Sequence, residues 1–334
     1  MKRKDILIVT PALADANNGN WQTARRWARF LGRDYRVQIT DAWAAGPAGA
    51  DAELMIALHA RRSAASVAAW HAAHPQRPLV LVLTGPDLYR DIDTDPAARQ
   101  SLRLAQRLVV LNERGAQRLP LELRDRVTVC LQSASARRPR AKTARHLRAL
   151  MVGHLRDEKR PQTFFEAARA LQHRNDILFD HIGGSLDPVL AAQARALASQ
   201  QPRYRWLGAL PHDATRRRIA AAHLLVHPSQ IEGGAHVVTE AVVSGTPVLA
   251  SRIDGNVGLL GADYGGYFEP GDAAGLATLL KRMRDDPSML VDLRRQCAER
   301  APLFDPVRER RTVLSLVAQL LSPHPKMEKN DERP

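Results

Sequence analysis

The sequence contains very little cysteine. Cys130 and Cys297 are the two cysteines among 334 residues, too few for a disulfide framework or a zinc site built from cysteines. Cys130 lies in the apolar run 127–131, so we expect it in a protein core. Cys297 is expected on a helix, without a chemical role. The composition therefore does not favour thiol catalysis.

Aromatic residues and long apolar runs are also scarce. Aromatic side chains make up 5% of the chain, and no apolar run is long enough to span a bilayer. The chain is basic instead, with a formal net charge of +14, but its basic residues are dispersed and not interleaved with aromatics. Nucleic-acid binding usually requires a concentrated basic patch and a recognisable motif. We expect no nucleic-acid partner and no membrane span.

The strongest local concentration of basic residues lies just before the middle of the chain. Its members are Arg137, Arg138, Arg140, Lys142, Arg145 and Arg148. We interpret residues 137–147 as a solvated basic linker between two domains, and the alternative is a surface for an anionic partner. The chain start runs directly into the apolar pattern 6–9 without the features of a signal peptide, so we expect a cytoplasmic protein.

Residues 224–250 have the pattern of a strand, a glycine-rich loop, a helix and a second strand. The candidate functional residues of this segment are Glu232, Gly233, Gly234, Ala235 and Glu240. Free amides at a helix N-terminus attract anions, and adjacent glycines let a ligand approach the backbone. Carboxylates accept hydrogen bonds from hydroxyls. Amides for phosphate and carboxylates for hydroxyls together indicate a nucleotide-sugar site.

Glu240 has two interpretations. A glutamate on a helix is most often solvated, and spacing alone favours that alternative. However, its neighbours Val237, Ala241, Val242 and Val243 are apolar, which predicts a helix buried on most faces. A buried carboxylate needs a hydrogen-bonding partner, so we expect Glu240 to face a ligand.

Two glutamates separated by seven residues in this context resemble the signature of the family-four GT-B glycosyltransferases. The resemblance covers residues 148–285 and includes the run Val152-Gly153-His154-Leu155 with Lys159. It implies two doubly wound Rossmann-like α/β domains that face a central cleft, with no metal and no cofactor besides a UDP-sugar donor. By the same resemblance, Lys159 neutralises the donor diphosphate, whereas His154 stands where the family has an arginine.

The N-terminal half predicts a second parallel sheet. Strand patterns occur at 6–9, 37–40, 54–58, 79–83, 108–111 and 127–131. Ligands of such sheets collect at the carboxyl ends of the strands, where this sequence has His59, Thr84 and Gly85. Asp91 and Asp93 resemble a metal-binding Asp-x-Asp motif, but they follow a polar loop rather than a strand, so we expect no metal there.

Three N-terminal segments, 10–27, 57–64 and 83–92, are similar to the selenosugar synthases of selenoneine biosynthesis, which are GT-B enzymes. This resemblance implies transfer of N-acetylglucosamine or glucose from a UDP-sugar to selenophosphate, with formation of an anomeric carbon–selenium bond. A small, multiply anionic acceptor needs cations and amides rather than an oligosaccharide groove.

The resemblance also implies residue roles. The implied catalytic residues are His59, Lys159 and Glu232. The implied donor-binding residues are Gly19, His154, Lys159, Glu232, Gly233, Gly234, Ala235 and Glu240, with Glu240 at the ribose and Glu232 at a sugar hydroxyl. The implied acceptor-binding residues are Asn18, Asn20, Arg25, Arg61, Arg62, Thr84 and Gly85.

Two other functional classes stay open at this point. One is a conventional family-four glycosyltransferase that acts on a lipid or polysaccharide, and the other is a non-catalytic nucleotide-sugar sensor. In domain terms we predict an N-terminal acceptor-side domain, the basic linker, a nucleotide-sugar-binding domain, a C-terminal helix and a disordered polar tail. Their predicted ranges are 1–136, 137–147, 148–305, 306–322 and 323–334.

Overall fold

A computed structural model of the chain describes residues 3–13, 19–46, 49 and 51–322. Asn18, one of the predicted acceptor residues, and the predicted tail 323–334 lie outside the described residues. The described parts form two parallel six-stranded sheets, as the two strand-rich halves of the sequence predict. None of their helices is both long and apolar enough to cross a membrane.

The first sheet is built from the N-terminal half of the chain. Its strands are β1 (Asp5–Val9), β2 (Arg36–Thr40), β3 (Leu54–Leu58), β4 (Leu79–Leu83), β5 (Arg107–Val110) and β6 (Val127–Val129). The helices between them are α1 (Gly19–Leu31), α2 (Ala64–Ala73), α3 (Ile92–Thr94) and α4 (Pro96–Leu104). The strand order is β2-β1-β3-β4-β5-β6. Strand β6 is two residues shorter than predicted, although the amide of Cys130 still donates to the carbonyl of Val110.

The second sheet is built from the C-terminal half. Its strands are β7 (Leu147–Val152), β8 (Ile177–Ile182), β9 (Tyr204–Trp206), β10 (Leu224–His227), β11 (Val248–Ser251) and β12 (Tyr267–Phe268). Its helices are α5 (Pro161–Ala170), α6 (Pro188–Gln200), α7 (His212–Ala221), α8 (His236–Val242), α9 (Asp254–Leu260), α10 (Ala273–Asp285) and α11 (Ser288–Arg300). The strand order is β12-β11-β10-β7-β8-β9.

The central strands of both sheets are buried on both faces. All five residues of β3 and of β4 are buried, as expected for parallel strands covered by helices on each side. Cys130 lies in the core of the first half, and Cys297 lies on a helix in the core of the second. The core position predicted for Cys130 and the helix predicted for Cys297 are therefore both confirmed.

The last helix, α12 (Pro306–Leu321), returns to the first sheet. Val313, Leu316 and Val317 join the core beside α1. The buried carboxylate of Glu309 accepts hydrogen bonds from Arg26 and Trp27 on α1, each at 2.8 Å. Helix α12 follows the second sheet in the chain but packs against the first half, and it thus helps to fix the two halves relative to each other.

Candidate active site

Two cavities lie at the carboxyl ends of the strands and are lined by residues of both halves. The Glu240 cavity, of about 220 Å³, is lined by Gly19, Gly153, His154, His212, His236 and Glu240, among others. The His59 cavity, of about 150 Å³, is lined by Gly19, His59, Arg62, Arg90, Arg156 and Gly234, among others. Gly19, the first residue of α1, lines both. The N-terminus of α1 therefore lies where the two cavities meet.

Glu240 is buried on α8, with 4% of its surface exposed, as its apolar neighbours predict. Its Oε1 atom accepts a 2.5 Å hydrogen bond from His212 Nε2 and lies 3.4 Å from His236 Nδ1 and 3.8 Å from Arg216 Nη1. Burial alone would raise the pKa of Glu240, but the hydrogen bonds from His212 and His236 and the charge of Arg216 lower it to about 2. The carboxylate is ionised and able to accept hydrogen bonds.

Glu232 forms a second buried ion pair. Its Oε1 atom lies 2.5 Å from Lys159 Nζ and 3.1 Å from His227 Nε2. Burial would raise the pKa of this carboxyl, yet the Lys159 ammonium and His227 shift it well below its usual range. The structure thus brings together the glutamate and the lysine that the resemblance pairs at the donor.

The loop before α8 makes a close backbone contact between the two halves. A Cβ on Gly233 would lie 2.4 Å from the carbonyl carbon of Thr84, and one on Gly85 would lie 2.9 Å from the Gly233 amide nitrogen. Asn112 Nδ2 donates to the Gly233 carbonyl at 2.7 Å. Gly85 and Gly233 therefore allow backbone to pack against backbone between the halves. That their neighbours bind phosphate stays a prediction.

His154 does not supply the positive charge of the arginine it replaces. Its Nδ1 atom accepts a 3.0 Å hydrogen bond from the Gly184 amide, which leaves the ring proton on Nε2. Burial, together with the charges of Arg156 and Lys159, lowers the pKa of His154. Arg156, two positions further along the chain, lines the His59 cavity. The positive charge near this strand end therefore comes from Lys159 and from Arg156, to which the sequence assigned no role.

His59 follows β3 in an uncommon backbone conformation. Its φ angle is +73°, and its side chain is 2% exposed. The Nδ1 atom accepts a long hydrogen bond of 3.4 Å from the amide of Arg62, which places the ring proton on Nε2. Nε2 is buried and has no hydrogen-bond partner among the described residues. Burial lowers the pKa of His59 despite nearby Asp87, so a neutral imidazole borders this cavity with a spare N–H donor.

The predicted acceptor residues separate into two groups. Asn20, Arg62, Thr84 and Gly85 line the His59 cavity. The structure does not place Arg61 and Arg25 there. Arg61 Nε donates to Asp91 at 2.8 Å, whereas Arg25 lines a third cavity. Arg61 and Arg62 are consecutive, and the turn after β3 directs the two side chains to different partners.

The Asp-x-Asp segment is helical, so its assignment to a polar loop was wrong. Residues 87–91 form a π-helical turn that continues into α3. Asp91 accepts hydrogen bonds from Arg61 and Arg90, and Asp93 accepts one from Arg118. These arginine contacts account for both carboxylates without a metal.

His212, His236 and Glu240 place three potential ligand atoms within 4.8 Å of one another. Both imidazoles face the Glu240 carboxylate, and Nε2 of His236 donates to the Ser133 carbonyl at 3.0 Å. Hydrogen bonding to Glu240 accounts for this arrangement. The absence of a metal requirement stays a prediction.

Comparison with known proteins places this geometry in context. The model of the glycosyl transferases group 1 family matches residues 133–304. No curated protein sequence matches the chain. TarM of S. aureus is 15% identical with a TM-score of 0.65, and the match covers 81% of this chain and 55% of TarM. The chain thus spans about half the length of TarM.

Two other solved structures match over nearly their whole length. Sucrose-phosphate synthase from Thermosynechococcus elongatus is 18% identical with a TM-score of 0.76, over 95% of this chain and 99% of that one. HepE of Anabaena, in complex with UDP and glucose, is 15% identical with a TM-score of 0.74, over 95% and 100%. These likenesses show the GT-B fold. Since the matched model spans half of the sequence, the chain belongs to the glycosyl transferases group 1 family.

Proposed function

We propose that this protein is a cytoplasmic glycosyltransferase that moves N-acetylglucosamine or glucose from a UDP-sugar to selenophosphate. The donor half of the proposal is supported by family membership and by HepE, whose structure contains UDP and glucose. It is also supported by the ionised Glu240 carboxylate, which is suited to accept hydrogen bonds from ribose hydroxyls. His212 donates to that carboxylate, so the ribose must share or replace this contact.

The acceptor half rests on the charge of the His59 cavity. Arg62, Arg90 and Arg156 line it, with Glu158 as the carboxylate among the described lining residues. Guanidinium groups present forked donors that match phosphate oxygens. A compact, multiply charged anion therefore suits the arginines that line this cavity. Arg90 pairs with Asp91, so Arg62 and Arg156 supply the positive charge that carries the selenophosphate proposal.

The proposed reaction needs no strong general base, because the selenium of selenophosphate is already an anionic nucleophile. A selenium lone pair attacks C1 of the sugar, and the bond between C1 and the UDP oxygen breaks with its electron pair leaving on UDP. Lys159 stabilises the charge that builds on the diphosphate, without a metal in this proposal. Water then cleaves the selenium–phosphorus bond, so that phosphate leaves and selenium receives a proton.

His59 and Glu232 position the sugar in this scheme. The spare Nε2–H of His59 donates to an oxygen of the sugar or of the acceptor. Glu232 accepts from a sugar hydroxyl while it remains paired with Lys159. Neither residue is required to exchange a proton with selenium.

The test uses the purified full chain under reducing conditions, with UDP-N-acetylglucosamine or UDP-glucose and with or without enzymatically generated selenophosphate. UDP release and product mass are measured together. The proposal predicts selenophosphate-dependent UDP release and a product that carries the selenium isotope pattern. Donor binding without selenophosphate-dependent turnover would instead indicate a conventional group 1 enzyme with a lipid or polysaccharide acceptor. Donor binding without turnover on any acceptor would indicate a sensor.

A further inference from the structure

A third cavity lies between α1, α7 and residues 133–135. The Arg25 cavity, as we name it, is lined by Arg25, Arg26, Arg29, Arg216, His212 and His236, together with serine and apolar residues. Within the described parts of the chain, no carboxylate lines it. Among the described residues it has no lining residue in common with the His59 cavity, whereas Gln22, His212 and His236 also line the Glu240 cavity.

Two of these arginines are buried and keep an N–H group unpaired. Arg216 is 4% exposed, donates to the Ser135 carbonyl at 2.6 Å through Nη2, and faces Glu240 at 3.8 Å through Nη1. Its Nε has no acceptor among the described residues, and neither does Nη2 of Arg26, whose side chain is 10% exposed. Leaving such donors buried and unpaired is costly, and an acceptor inside the cavity would remove that cost.

The nearest carboxylates outside the lining neutralise only part of this group of arginines, since Glu309 pairs with Arg26 and Glu240 lies 3.8 Å from Arg216. Glu309 is buried and already accepts hydrogen bonds from Arg26, Trp27 and Ser133. Arg25 and Arg29, one turn apart on α1, are both exposed and repel each other as like charges at this spacing. The cavity thus combines the positive charge of Arg25 and Arg29 with an unpaired N–H group on each of Arg26 and Arg216, and guanidinium N–H groups are donors that phosphate oxygens accept.

We propose that the Arg25 cavity binds a phosphate-class anion, at a site separate from the one where sugar is transferred. Arg25 and Arg29 bind the anion from the exposed side, and the guanidinium groups of Arg26 and Arg216 lie on the buried side of the cavity. The inference does not depend on which acceptor the enzyme uses, because the two cationic cavities have no lining residue in common. Free phosphate and a small phosphomonoester both present the phosphate oxygens that this cavity would bind.

The test compares two charge-matched variants of the full chain by calorimetry with inorganic phosphate. Both carry Arg62→Gln and Arg156→Gln, which reduce phosphate binding in the His59 cavity. One adds Arg25→Gln and Arg29→Gln. The control adds Arg33→Gln and Arg103→Gln, at exposed positions. The parent is the protein that carries only Arg62→Gln and Arg156→Gln. Relative to this parent, we expect Arg25→Gln with Arg29→Gln to weaken phosphate binding about tenfold or more, the effect of losing charge-assisted hydrogen bonds. The control should bind phosphate within about twofold of the parent.

Equal phosphate affinity in the two variants, or no measurable phosphate binding by the parent, would overturn the proposal. All four substituted positions of the added pairs are exposed, so both proteins should fold, and thermal unfolding verifies this. A parallel titration with glycerol phosphate distinguishes the two candidate ligands, free phosphate and a phosphomonoester. Tighter binding of inorganic phosphate indicates free phosphate as the ligand, and tighter binding of glycerol phosphate indicates a phosphomonoester.

Discussion

The Glu240 and Glu232 side chains and the His59 cavity differ in how charge is balanced. Both glutamates are buried beside partners of the C-terminal half: Glu232 pairs with Lys159, and Glu240 lies beside His212 and Arg216. In the His59 cavity, Arg90 lies near Asp91 and Glu158, whereas Arg62 and Arg156 form no ion pair with a carboxylate of the described residues. Balanced charge suits the hydroxyl groups of a nucleotide sugar, whereas excess positive charge suits an anionic acceptor.

The two regions also differ in how they are assembled. The partners of Glu240 and Glu232 all come from one half of the chain and are held by a single sheet. The His59 cavity takes His59, Arg62 and Arg90 from the first half and Arg156 from the second. Movement of the halves would therefore leave both glutamates paired, while it would separate the residues that line the His59 cavity.

The largest effect is expected from Lys159→Ala. This change removes the cation proposed to stabilise the leaving diphosphate and leaves the Glu232 carboxylate buried without its lysine. We expect kcat/KM to fall about a hundredfold or more, the order seen when a charge-stabilising group is lost. Steady-state UDP release measures the effect. The control is Lys281→Ala, an exposed lysine paired with Asp285, and similar losses in both variants would refute the assigned role.

A smaller effect, confined to the acceptor, is expected from Arg62→Gln and from Arg156→Gln. Each removes one guanidinium from the His59 cavity, so KM for selenophosphate should rise about tenfold, the scale of a charge-assisted hydrogen bond. Arg61→Gln is the matched control because Arg61 pairs with Asp91 outside the cavity. Acceptor kinetics at saturating donor measure all three. If Arg61→Gln raised KM most, the structural separation of Arg61 from Arg62 would be wrong.

The smallest effect is expected in the pH dependence of stability. Burial lowers the pKa of His59, His154 and His227, so the unfolded chain binds protons that the folded protein does not. The free energy of unfolding should therefore decrease as pH falls below about 6.5, the usual histidine value. Urea unfolding between pH 8 and pH 5 measures this. A constant free energy of unfolding over that range would contradict the buried neutral imidazoles.

The carboxylates extend this loss of stability to lower pH. The pKa of Glu240 is about 2 in the folded protein because His212 and His236 outweigh the effect of burial. An unfolded glutamate has a pKa of about 4.3, so its contribution is present above that pH and is lost as pH falls towards 2. The buried histidines and the Glu240 carboxylate therefore both lower the free energy of unfolding as the pH falls.

The sequence predicts the donor side better than the acceptor side. Glu240 and its helix lie in one contiguous segment, and the apolar neighbours Val237 and Ala241 are enough to predict burial. The partners His212 and Arg216 were missed because they lie on α7 and reach Glu240 only when the helices pack on the sheet. A contiguous motif is visible in the sequence, while contacts between separate elements are not.

The acceptor side depends on side-chain directions that no spacing rule supplies. Arg61 and Arg62 are chemically identical, and the left-handed backbone at His59 with the turn after it decides which one lines the cavity. Arg156 was given no role because the expected cation position was His154, two residues earlier. The residue types expected for an anion site were thus predicted, but their three-dimensional assignment was not.

The division between the two regions is tested most directly by calorimetric titration of UDP into the wild-type, Lys159→Ala and Arg62→Gln proteins. UDP affinity should decrease about tenfold or more in Lys159→Ala, because a charged hydrogen-bonding partner of the diphosphate is lost. UDP affinity should stay within about threefold of wild type in Arg62→Gln, because Arg62 lines the His59 cavity and does not line the Glu240 cavity. An equal loss of UDP affinity in both variants would contradict separate donor and acceptor regions.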